Sequence, residues 1–211
     1  MTNQELFSYV DHTLLKPEAT PEQIAVLCAE AAEHGTASVC VNGSYVPLAK
    51  KLLDGKAKVC AVIGFPLGAM STAAKAFEAA EAVRDGADEI DMVIHIGQLK
   101  AGNTDYVLED IKAVKAAIGD HVLKVIIETC LLTEEEKITM CRIVTESGAE
   151  YIKTSTGFST AGATPEDVAL MRKYSGPGVK VKAAGGIASI EDAQRFIELG
   201  ADRLGTSRLI P

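Results

Sequence analysis

Ser147-Gly148-Ala149-Glu150-Tyr151-Ile152 closes a helix-like stretch with a glycine and then opens a run of apolar residues. Glycine supplies the left-handed backbone conformation that commonly ends a helix, so this segment predicts a helix followed directly by a strand. The same pattern occurs three more times, at Glu33–Ala37, Asp85–Ile90 and Leu199–Leu204. Four copies along one chain predict a repeated helix–strand unit.

Further apolar runs lie between these copies, and most are rich in Val and Ile, which favour strands. The runs are Leu6–Val10, Val59–Ile63, Val122–Thr129 and Val179–Ala184. Together with the four copies they predict eight strands, centred near residues 9, 39, 61, 91, 126, 152, 182 and 204. Seven helices are predicted between them, each with a glycine at its end: Gly35, Gly55, Gly86, Gly119, Gly148, Gly176 and Gly200.

Strands that alternate with helices pair in parallel through right-handed crossovers. Eight such strands predict an α/β fold, a (β/α)8 TIM barrel formed as a single domain by residues 1–211. The alternative is a doubly wound open sheet, which often carries a GxGxxG motif after its first strand. Here Asp11-His12-Thr13 follows the first predicted strand instead. Only Ser207–Pro211 follow the last predicted strand, so the final helix is expected to be absent or truncated.

The composition is that of an ordinary globular domain, with 47% apolar and 24% charged residues. The net charge of −8, without a long basic run, argues against a nucleic-acid partner. The longest uncharged stretch, Val59–Ala74, is too short and too broken by glycine and proline to cross a bilayer, and the N-terminus lacks a signal-peptide pattern. Five cysteines without a CxxC spacing indicate a reduced protein, so we expect a cytoplasmic location and no membrane partner.

Charged residues inside the predicted strands are the main functional signal. In the fourth strand, Ile90, Met92 and Ile94 alternate with Asp91, and the apolar face is expected to pack against the helices. Asp91 is therefore expected to point into the barrel. The same alternation places five further charged residues on the inner face: Lys124, Glu128, Lys153, Lys180 and Lys182.

The repeat also predicts which of these residues lie at the same depth. Cys40, Asp91, Lys153 and Gly205 each lie five positions after a repeat glycine, and alternate strands of such a barrel share a layer. A single lysine usually extends to water, buried ion pairs often have no chemical role, and Cys40 is better explained as a small buried hydrophobe than as a reactive thiol. Two lysines beside a carboxylate are less ordinary, because burial and like charge lower a lysine's pKa. An uncharged amine can form a Schiff base with a carbonyl.

Three glycine-containing turns follow the last three strands and predict an anion site. They are Ser155–Phe158, Ala184–Ile187 and Gly205–Arg208, and phosphate usually binds after strands seven and eight in this architecture. Arg208 either adds charge to that site or is a tail residue. Asp11 and His12 are expected to end the first strand on the same face, in contact with substrate or with Lys182. The four histidines show no metal-ligand spacing, and no metal site is predicted.

Five segments of the chain resemble the deoxyribose-phosphate aldolase family, and together they extend from residue 11 to about residue 207. They are Asp11–Pro17, Gly86–Asp91, Leu123–Thr129, Tyr151–Gly157 and Val181–Ile187. The sequence KTSTG, followed by VKAAGG, is the most specific part of the match. The resemblance implies a class I aldolase that reversibly cleaves 2-deoxy-D-ribose 5-phosphate to acetaldehyde and D-glyceraldehyde 3-phosphate, without a metal or a diffusible cofactor.

The resemblance also implies residue roles. Lys153 is similar in position to the Schiff-base lysine, Lys182 to the second lysine that lowers its pKa and takes part in proton transfer, and Asp91 to the general acid/base. The residues expected to bind substrate or its phosphate are Asp11, Thr156, Gly157, Gly185, Gly186, Gly205 and Ser207. Phe158 stands where some members have a lysine, so the backbone is expected to contribute much of the phosphate site. Members often form homodimers or homotetramers. A cofactor-free sugar-phosphate isomerase and a non-catalytic phosphate-binding barrel remain as alternatives.

Overall fold

The computed structural model describes residues 1–210, and Pro211, the last residue of the predicted domain, lies outside them. Eight parallel strands close into a barrel in chain order, with β8 pairing to β1, so the predicted barrel is confirmed and the open sheet is not. The strands are β1 (Val10–Leu14), β2 (Ser38–Asn42), β3 (Lys58–Ile63), β4 (Glu89–Val93), β5 (Val122–Ile126), β6 (Tyr151–Lys153), β7 (Lys180–Ala184) and β8 (Arg203–Thr206).

Nine α-helices surround this barrel within residues 1–210. They are α1 (Asn3–Phe7), α2 (Pro21–His34), α3 (Val46–Leu53), α4 (Thr72–Arg84), α5 (Ile96–Lys100), α6 (Thr104–Ile118), α7 (Glu134–Ser147), α8 (Pro165–Tyr174) and α9 (Ile190–Glu198). All seven predicted helices are present, and the short α1 and α5 were not predicted. Capping boxes begin α2 at Thr20 and α7 at Thr133, and Gly35 ends α2 with φ of 68°. None of these helices combines the length and the hydropathy needed to span a bilayer.

The predicted strand over Leu6–Val10 is wrong. A reciprocal capping box between Thr2 and Glu5 begins a helix at Asn3, and the apolar residues at its end, Leu6 and Phe7, are buried. Because α1 occupies this segment, β1 begins only at Val10 and extends to Leu14. The first strand therefore lies further along the chain than its apolar run indicated.

No helix follows β8 within residues 207–210, which agrees with the expected lack of a final helix in this part of the chain. Two other features cover the seam between β8 and β1. Helix α1 contacts α9, and Gln4 donates a hydrogen bond to the carbonyl of His34 at the end of α2, so α1 lies between the helices that flank the open position. Leu209 and Ile210 are buried in the main core.

The apolar core lies almost entirely between the barrel and its helices. The barrel interior itself holds only a small apolar cluster of Leu15, Cys40, Cys60 and Val62. Barrel interiors of this type are usually filled by branched apolar side chains. Here much of that space is taken by charged residues, as the alternation within the strands predicted.

A buried ion pair joins two of the outer helices. Lys75 of α4 and Asp110 of α6 are both fully buried, and Lys75 Nζ lies 2.6 Å from Asp110 Oδ2. Removal of one partner of such a pair leaves an uncompensated charge away from water. The pair therefore fixes α4 against α6 and, because the Lys75 stem packs on Gly64, also the loop after β3.

We predict that Asp110→Ala lowers the free energy of unfolding by about 3–5 kcal/mol, since it leaves the Lys75 ammonium buried in the core without a partner. The double variant Lys75→Met with Asp110→Leu should recover most of this loss, because no buried charge remains. Urea unfolding at pH 7 measures both. Glu109→Ala, at the exposed Lys112–Glu109 pair, is the control and should change stability by less than about 1 kcal/mol. A double variant as unstable as Asp110→Ala would contradict the explanation.

Candidate active site

A cavity of about 710 Å³ opens at the carboxyl ends of the strands. All three predicted turns line it, after β6, β7 and β8. Lys153 reaches it from β6, and it is also lined by Thr156, Gly157, Gly185, Gly186, Gly205 and Ser207. The structure thus brings the predicted Schiff-base lysine and six of the seven predicted substrate-binding residues to one cavity, at the face where barrels of this kind bind their ligands.

The Asp91 carboxylate lies beside the Lys153 amine and is the centre of the charged interior. Asp91 Oδ2 accepts hydrogen bonds from Lys153 Nζ at 2.8 Å and from Lys182 Nζ at 2.7 Å, and Oδ1 accepts one from Lys124 Nζ at 2.8 Å. Burial raises the pKa of the Asp91 carboxyl, but Lys124, Lys153 and Lys182 together hold it well below its ordinary value. Asp91 is therefore ionised at neutral pH.

Lys182 is fully buried and pairs with two carboxylates, those of Asp91 and Asp11. Burial alone would lower the pKa of the Lys182 amine, but these two carboxylates raise it above its ordinary value. Lys182 is therefore an ammonium at neutral pH. Lys153 lines the cavity whereas the fully buried Lys182 does not, so the geometry favours Lys153, and not Lys182, as the nucleophile.

The sequence predicts that Asp11 ends the first strand, but in the structure it does not end β1 and does not line the cavity. It is the second residue of β1, fully buried, and its carboxylate contacts Lys182, Ser38 Oγ at 2.7 Å and Arg203 Nη1 at 2.6 Å. The displaced start of β1 explains the difference, because three more residues of the strand follow Asp11. The structure supports contact with Lys182 and not contact with substrate. His12, on the outer face, pairs with Glu30 at 2.7 Å.

Three charged residues of this network were not assigned to the site from the sequence: Lys124, Glu89 and Arg203. Glu89 accepts a hydrogen bond from Arg203 Nη1 at 3.1 Å and lies 2.6 Å from Lys124 Nζ. Both Glu89 and Arg203 lie one layer closer to the amino ends of the strands than the Asp91 layer. The alternation that marked Asp91 also marks Glu89, two residues earlier on the same face, so the signal was present.

Lys180 was predicted to lie inside the barrel with Lys182, and this is wrong in one respect. Lys180 shares the face of Lys182 but is the first residue of β7, so its side chain leaves the barrel at the amino ends of the strands and is exposed. Its amine lies 5.6 Å from the centre of the Tyr151 ring. A lysine at the end of a strand can keep its charge in water, whereas Lys182, two residues further in, cannot.

The charges inside the barrel balance in one protonation state. Three buried carboxylates, Asp11, Glu89 and Asp91, are joined by ion pairs to three cations of the interior other than Lys153, namely Lys124, Lys182 and Arg203. A further cation, Lys58, contacts Glu89 at 3.3 Å, but its side chain is exposed to water at the start of β3. The interior is therefore neutral when Lys153 is an uncharged amine. Nucleophilic attack requires that state of the lysine.

Cys40 and Cys60 lie on the other side of Asp91, and both are fully buried. A hydrogen bond from Cys60 lowers the pKa of the Cys40 thiol, whereas burial raises that of Cys60 well above its ordinary value. The two sulfur atoms and a carboxylate oxygen of Asp91 lie within 4.8 Å of one another. Asp91 already faces the ammonium groups of Lys124 and Lys182, which would repel a cation, so Cys40, Cys60 and Asp91 do not fit a resident metal.

The turns after β6 and β7 form the rim of the cavity from backbone groups. Gly185 and Gly186 adopt φ of 82° and 81°, a left-handed conformation that favours glycine. Gly162 packs so closely on Gly185 that an added Cβ would lie 2.3 Å from the Gly185 carbonyl oxygen. Helix α9 begins shortly after, with Ser189 as its N-cap. Left-handed turns of this kind and a nearby helix N-terminus together favour an anion.

Thr156 lines the same rim, but its hydrogen-bond donors are already used. Its N–H donates to Glu128 Oε1 at 3.1 Å, and its hydroxyl donates to Glu128 Oε2 at 2.5 Å. Thr156 stays a predicted substrate-binding residue, but a hydrogen bond donated directly from it to a ligand is not supported. Phe158 packs edge-on against Phe65 and lines the cavity at the position where some members of the resembled family have a lysine. Lys16 and Arg208 are the other cationic residues that line the cavity within residues 1–210.

Comparisons with known proteins agree with this geometry. The model of the DeoC/LacD aldolase family matches residues 6–207. A deoxyribose-phosphate aldolase of Streptococcus suis is 61% identical over 96% of this chain and 93% of its own length, and one of Clostridioides difficile is 55% identical over 98% and 94%. Among solved structures, an aldolase named QR15 superposes with a TM-score of 0.95 at 44% identity, covering 98% of this chain and 93% of its own. A tetrameric deoxyribose phosphate aldolase from Aeropyrum pernix gives 0.90 at 32%, covering 99% and 89%.

The buried network predicts a pH-dependent role for Arg203. Burial raises the pKa of the Asp11 and Glu89 carboxyls, but the surrounding cations together lower it below its ordinary value, and Arg203 contributes to each. Carboxyls with a lowered folded-state pKa stabilise the fold above their unfolded pKa of about 4, and this stabilisation is lost as the pH falls through the folded value. Arg203→Gln should lower the free energy of unfolding by about 3–5 kcal/mol at pH 7, and the difference from wild type should shrink below about pH 4.

Urea unfolding at both pH values measures this effect. Arg172→Gln is the matched control, because its partner Asp202 and Arg172 itself are both partly exposed, and it should cost much less at pH 7. An Arg203→Gln deficit of equal size at both pH values would assign the loss to packing and contradict the electrostatic account.

Proposed function

The chain belongs to the DeoC/LacD family of aldolases, and on this basis we propose that it reversibly cleaves 2-deoxy-D-ribose 5-phosphate to acetaldehyde and D-glyceraldehyde 3-phosphate. The observation that carries the mechanism is the Lys153 amine, which lines the cavity and lies 2.8 Å from Asp91. Lys153 is the proposed Schiff-base residue. The names of the Streptococcus suis and Clostridioides difficile relatives support the choice of substrate.

In the proposed cleavage, uncharged Lys153 attacks the aldehyde carbon of the open-chain substrate, and loss of water gives an iminium. A base removes the proton of the C3 hydroxyl, the C2–C3 bond breaks, and its electron pair moves toward the iminium to give an enamine. D-Glyceraldehyde 3-phosphate leaves. Protonation of the enamine at C2 and hydrolysis of the resulting iminium release acetaldehyde and regenerate the amine.

Asp91, or a water that it holds, is the proposed base. Its pairing with Lys124 and Lys182 supports this role, because both cations keep the carboxylate ionised. The same carboxylate is a counter-ion for the iminium that Lys153 becomes, at the distance of a hydrogen bond. Lys182, held as an ammonium between Asp11 and Asp91, is proposed to take part in returning protons to the cycle.

The phosphate is proposed to bind at the rim built by Gly157, Gly185, Gly186, Gly205 and Ser207. Two features support this assignment: the left-handed turn at Gly185 and Gly186, and the N-terminus of α9 close behind it. A phosphate held there binds a part of the substrate that does not react. Its binding energy orients the reacting carbon over Lys153.

Reduction with borohydride tests the Schiff base directly. We expect incubation with acetaldehyde, followed by reduction, to add one ethyl group to Lys153, as identified by mass spectrometry of the intact chain and of its peptides. Lys153→Met should give no adduct and should not release acetaldehyde from 2-deoxyribose 5-phosphate. An adduct on Lys182 in place of Lys153, or none in the wild type, would contradict the mechanism.

The chain is further proposed to form a homodimer or homotetramer and to act in the cytoplasm. The tetrameric relative from Aeropyrum pernix supports assembly, as do large apolar side chains left exposed on one copy, such as Phe77 of α4 and Leu67 in the loop before it. Five cysteines without a disulfide support a reducing compartment.

Light scattering coupled to size exclusion should give a mass of about two or four times the 22.2 kDa of the chain. Phe77→Glu is expected to reduce that mass if α4 lies in the interface. A mass of a single chain for the wild type at micromolar concentration would contradict the proposed assembly.

A further inference from the structure

Glu128 has a backbone conformation that its residue type rarely adopts. It lies two residues after the end of β5, with φ of 57° and ψ of 65°, and within residues 1–210 the only other non-glycine residue with a positive φ is Asp54. Asp54 ends helix α3, where a left-handed residue is common, and its short side chain tolerates that conformation. Glu128 does not end a helix, and its side chain is longer than that of aspartate, so neither reason explains its conformation. Strain of this kind persists when surrounding contacts enforce it, and it is concentrated at functional sites.

The contacts of the Glu128 side chain explain why the strain is kept. The side chain is buried, and its carboxylate reaches from the end of β5 to the turn after β6. Both carboxylate oxygens accept from Thr156, one from its N–H at 3.1 Å and one from its hydroxyl at 2.5 Å. The Thr156 hydroxyl oxygen in turn accepts from the N–H of Phe158 at 3.0 Å. One carboxylate thus organises the donors on both sides of Gly157.

The backbone on either side of Glu128 is hydrogen-bonded to the segment formed by β6 and the residue after it. Ile127 N–H donates to the Lys153 carbonyl at 3.0 Å, and Thr129 N–H donates to the Thr154 carbonyl at 2.9 Å. These bonds continue the pairing of β5 with β6 past the end of both strands. The left-handed turn between them occurs at Glu128 alone, and the Glu128 carboxylate lies against the turn at Thr156.

Gly157 is the residue that this arrangement leaves available. It lines the cavity between Thr156 and Phe158, and no acceptor within residues 1–210 takes its N–H. Its φ of 84° is left-handed. Because Glu128 occupies the donors of Thr156 and, through the hydroxyl, the N–H of Phe158, the Gly157 N–H is the donor of this turn that a ligand can use.

We propose that Glu128 is a positioning residue for the phosphate end of the cavity. It holds the turn Thr156–Phe158 in the one conformation that presents the Gly157 N–H to the phosphate of the substrate, and it does so without touching the substrate. This inference rests on the proposed aldolase function. It extends that function by assigning the positioning of the phosphate-binding turn to Glu128, which lies in the loop after the neighbouring strand β5.

Glu128→Gly separates the side chain from the strained backbone, because glycine adopts a left-handed conformation without penalty. We expect kcat/KM for 2-deoxyribose 5-phosphate to fall by about tenfold or more, mainly through KM, since an unanchored turn binds the phosphate less well. With unphosphorylated 2-deoxyribose the loss should be smaller than about threefold. Glu128→Gln, which keeps one acceptor, should give an intermediate loss. Asp54→Gly, which relieves the other positive φ far from the cavity, is the matched control and should act as wild type.

Hydrogen exchange gives a second measurement that does not depend on activity. In Glu128→Gly the amides of Thr156 and Phe158 should exchange faster than in the wild type, while those of β5 and β6 keep their protection. Equal losses with both substrates, no loss with either, or unchanged exchange at Thr156 would each overturn the positioning role. A wild type that cleaves neither substrate would instead refute the proposed function, and in that case the exchange measurement still decides whether Glu128 anchors the turn.

Discussion

Seven ionisable side chains share the interior of this barrel, and each charge among them is tolerated because an opposite charge compensates it. The Asp91 carboxylate accepts hydrogen bonds from three lysines. Two of these lysines form a second ion pair, Lys182 with Asp11 and Lys124 with Glu89. A barrel filled with branched apolar residues would need no such matching. Here the strands must keep a register that brings every charge to its partner, so the electrostatics of the interior and the geometry of the sheet depend on one another.

Division of labour between strands and loops follows from this interior. The reacting amine and its partners come from strand positions whose side chains are packed on all sides, which fixes them closely. The rim is built differently, from glycine turns and backbone N–H groups on loops after β6 to β8. Loops can vary without disturbing the core, so the chemistry and the recognition of the ligand can change separately. Phe158 and Arg208 are examples of side chains at the rim that could change without affecting the charged residues inside the barrel.

Much of the fold and of the site could be predicted from the sequence, because both depend on short-range periodicity. The helix-ending glycines located seven helices, and the two-residue alternation placed Asp91, Lys124, Lys153 and Lys182 inside the barrel. The errors have local physical causes. An apolar run at the N-terminus does not distinguish the helix α1 from a strand, and only the capping box of Thr2 and Glu5 carried that information. The role of Glu128 depends on a backbone angle that no pattern of residue types encodes.

The ion pairs of the interior join parts of the chain that lie far apart in sequence. Asp11 and Lys182 are 171 residues apart, and Asp11 and Arg203 are 192 apart. Contacts of such separation require the two ends of the chain to meet, and this carries a loop-closure cost. β1 must meet β8 before Asp11 can compensate Lys182, and until then part of the charge in the interior is unpaired. Closing of the ring therefore completes the ion pairs of Lys182, and a chain that has folded only half of its barrel lacks part of the charged network around the reacting amine.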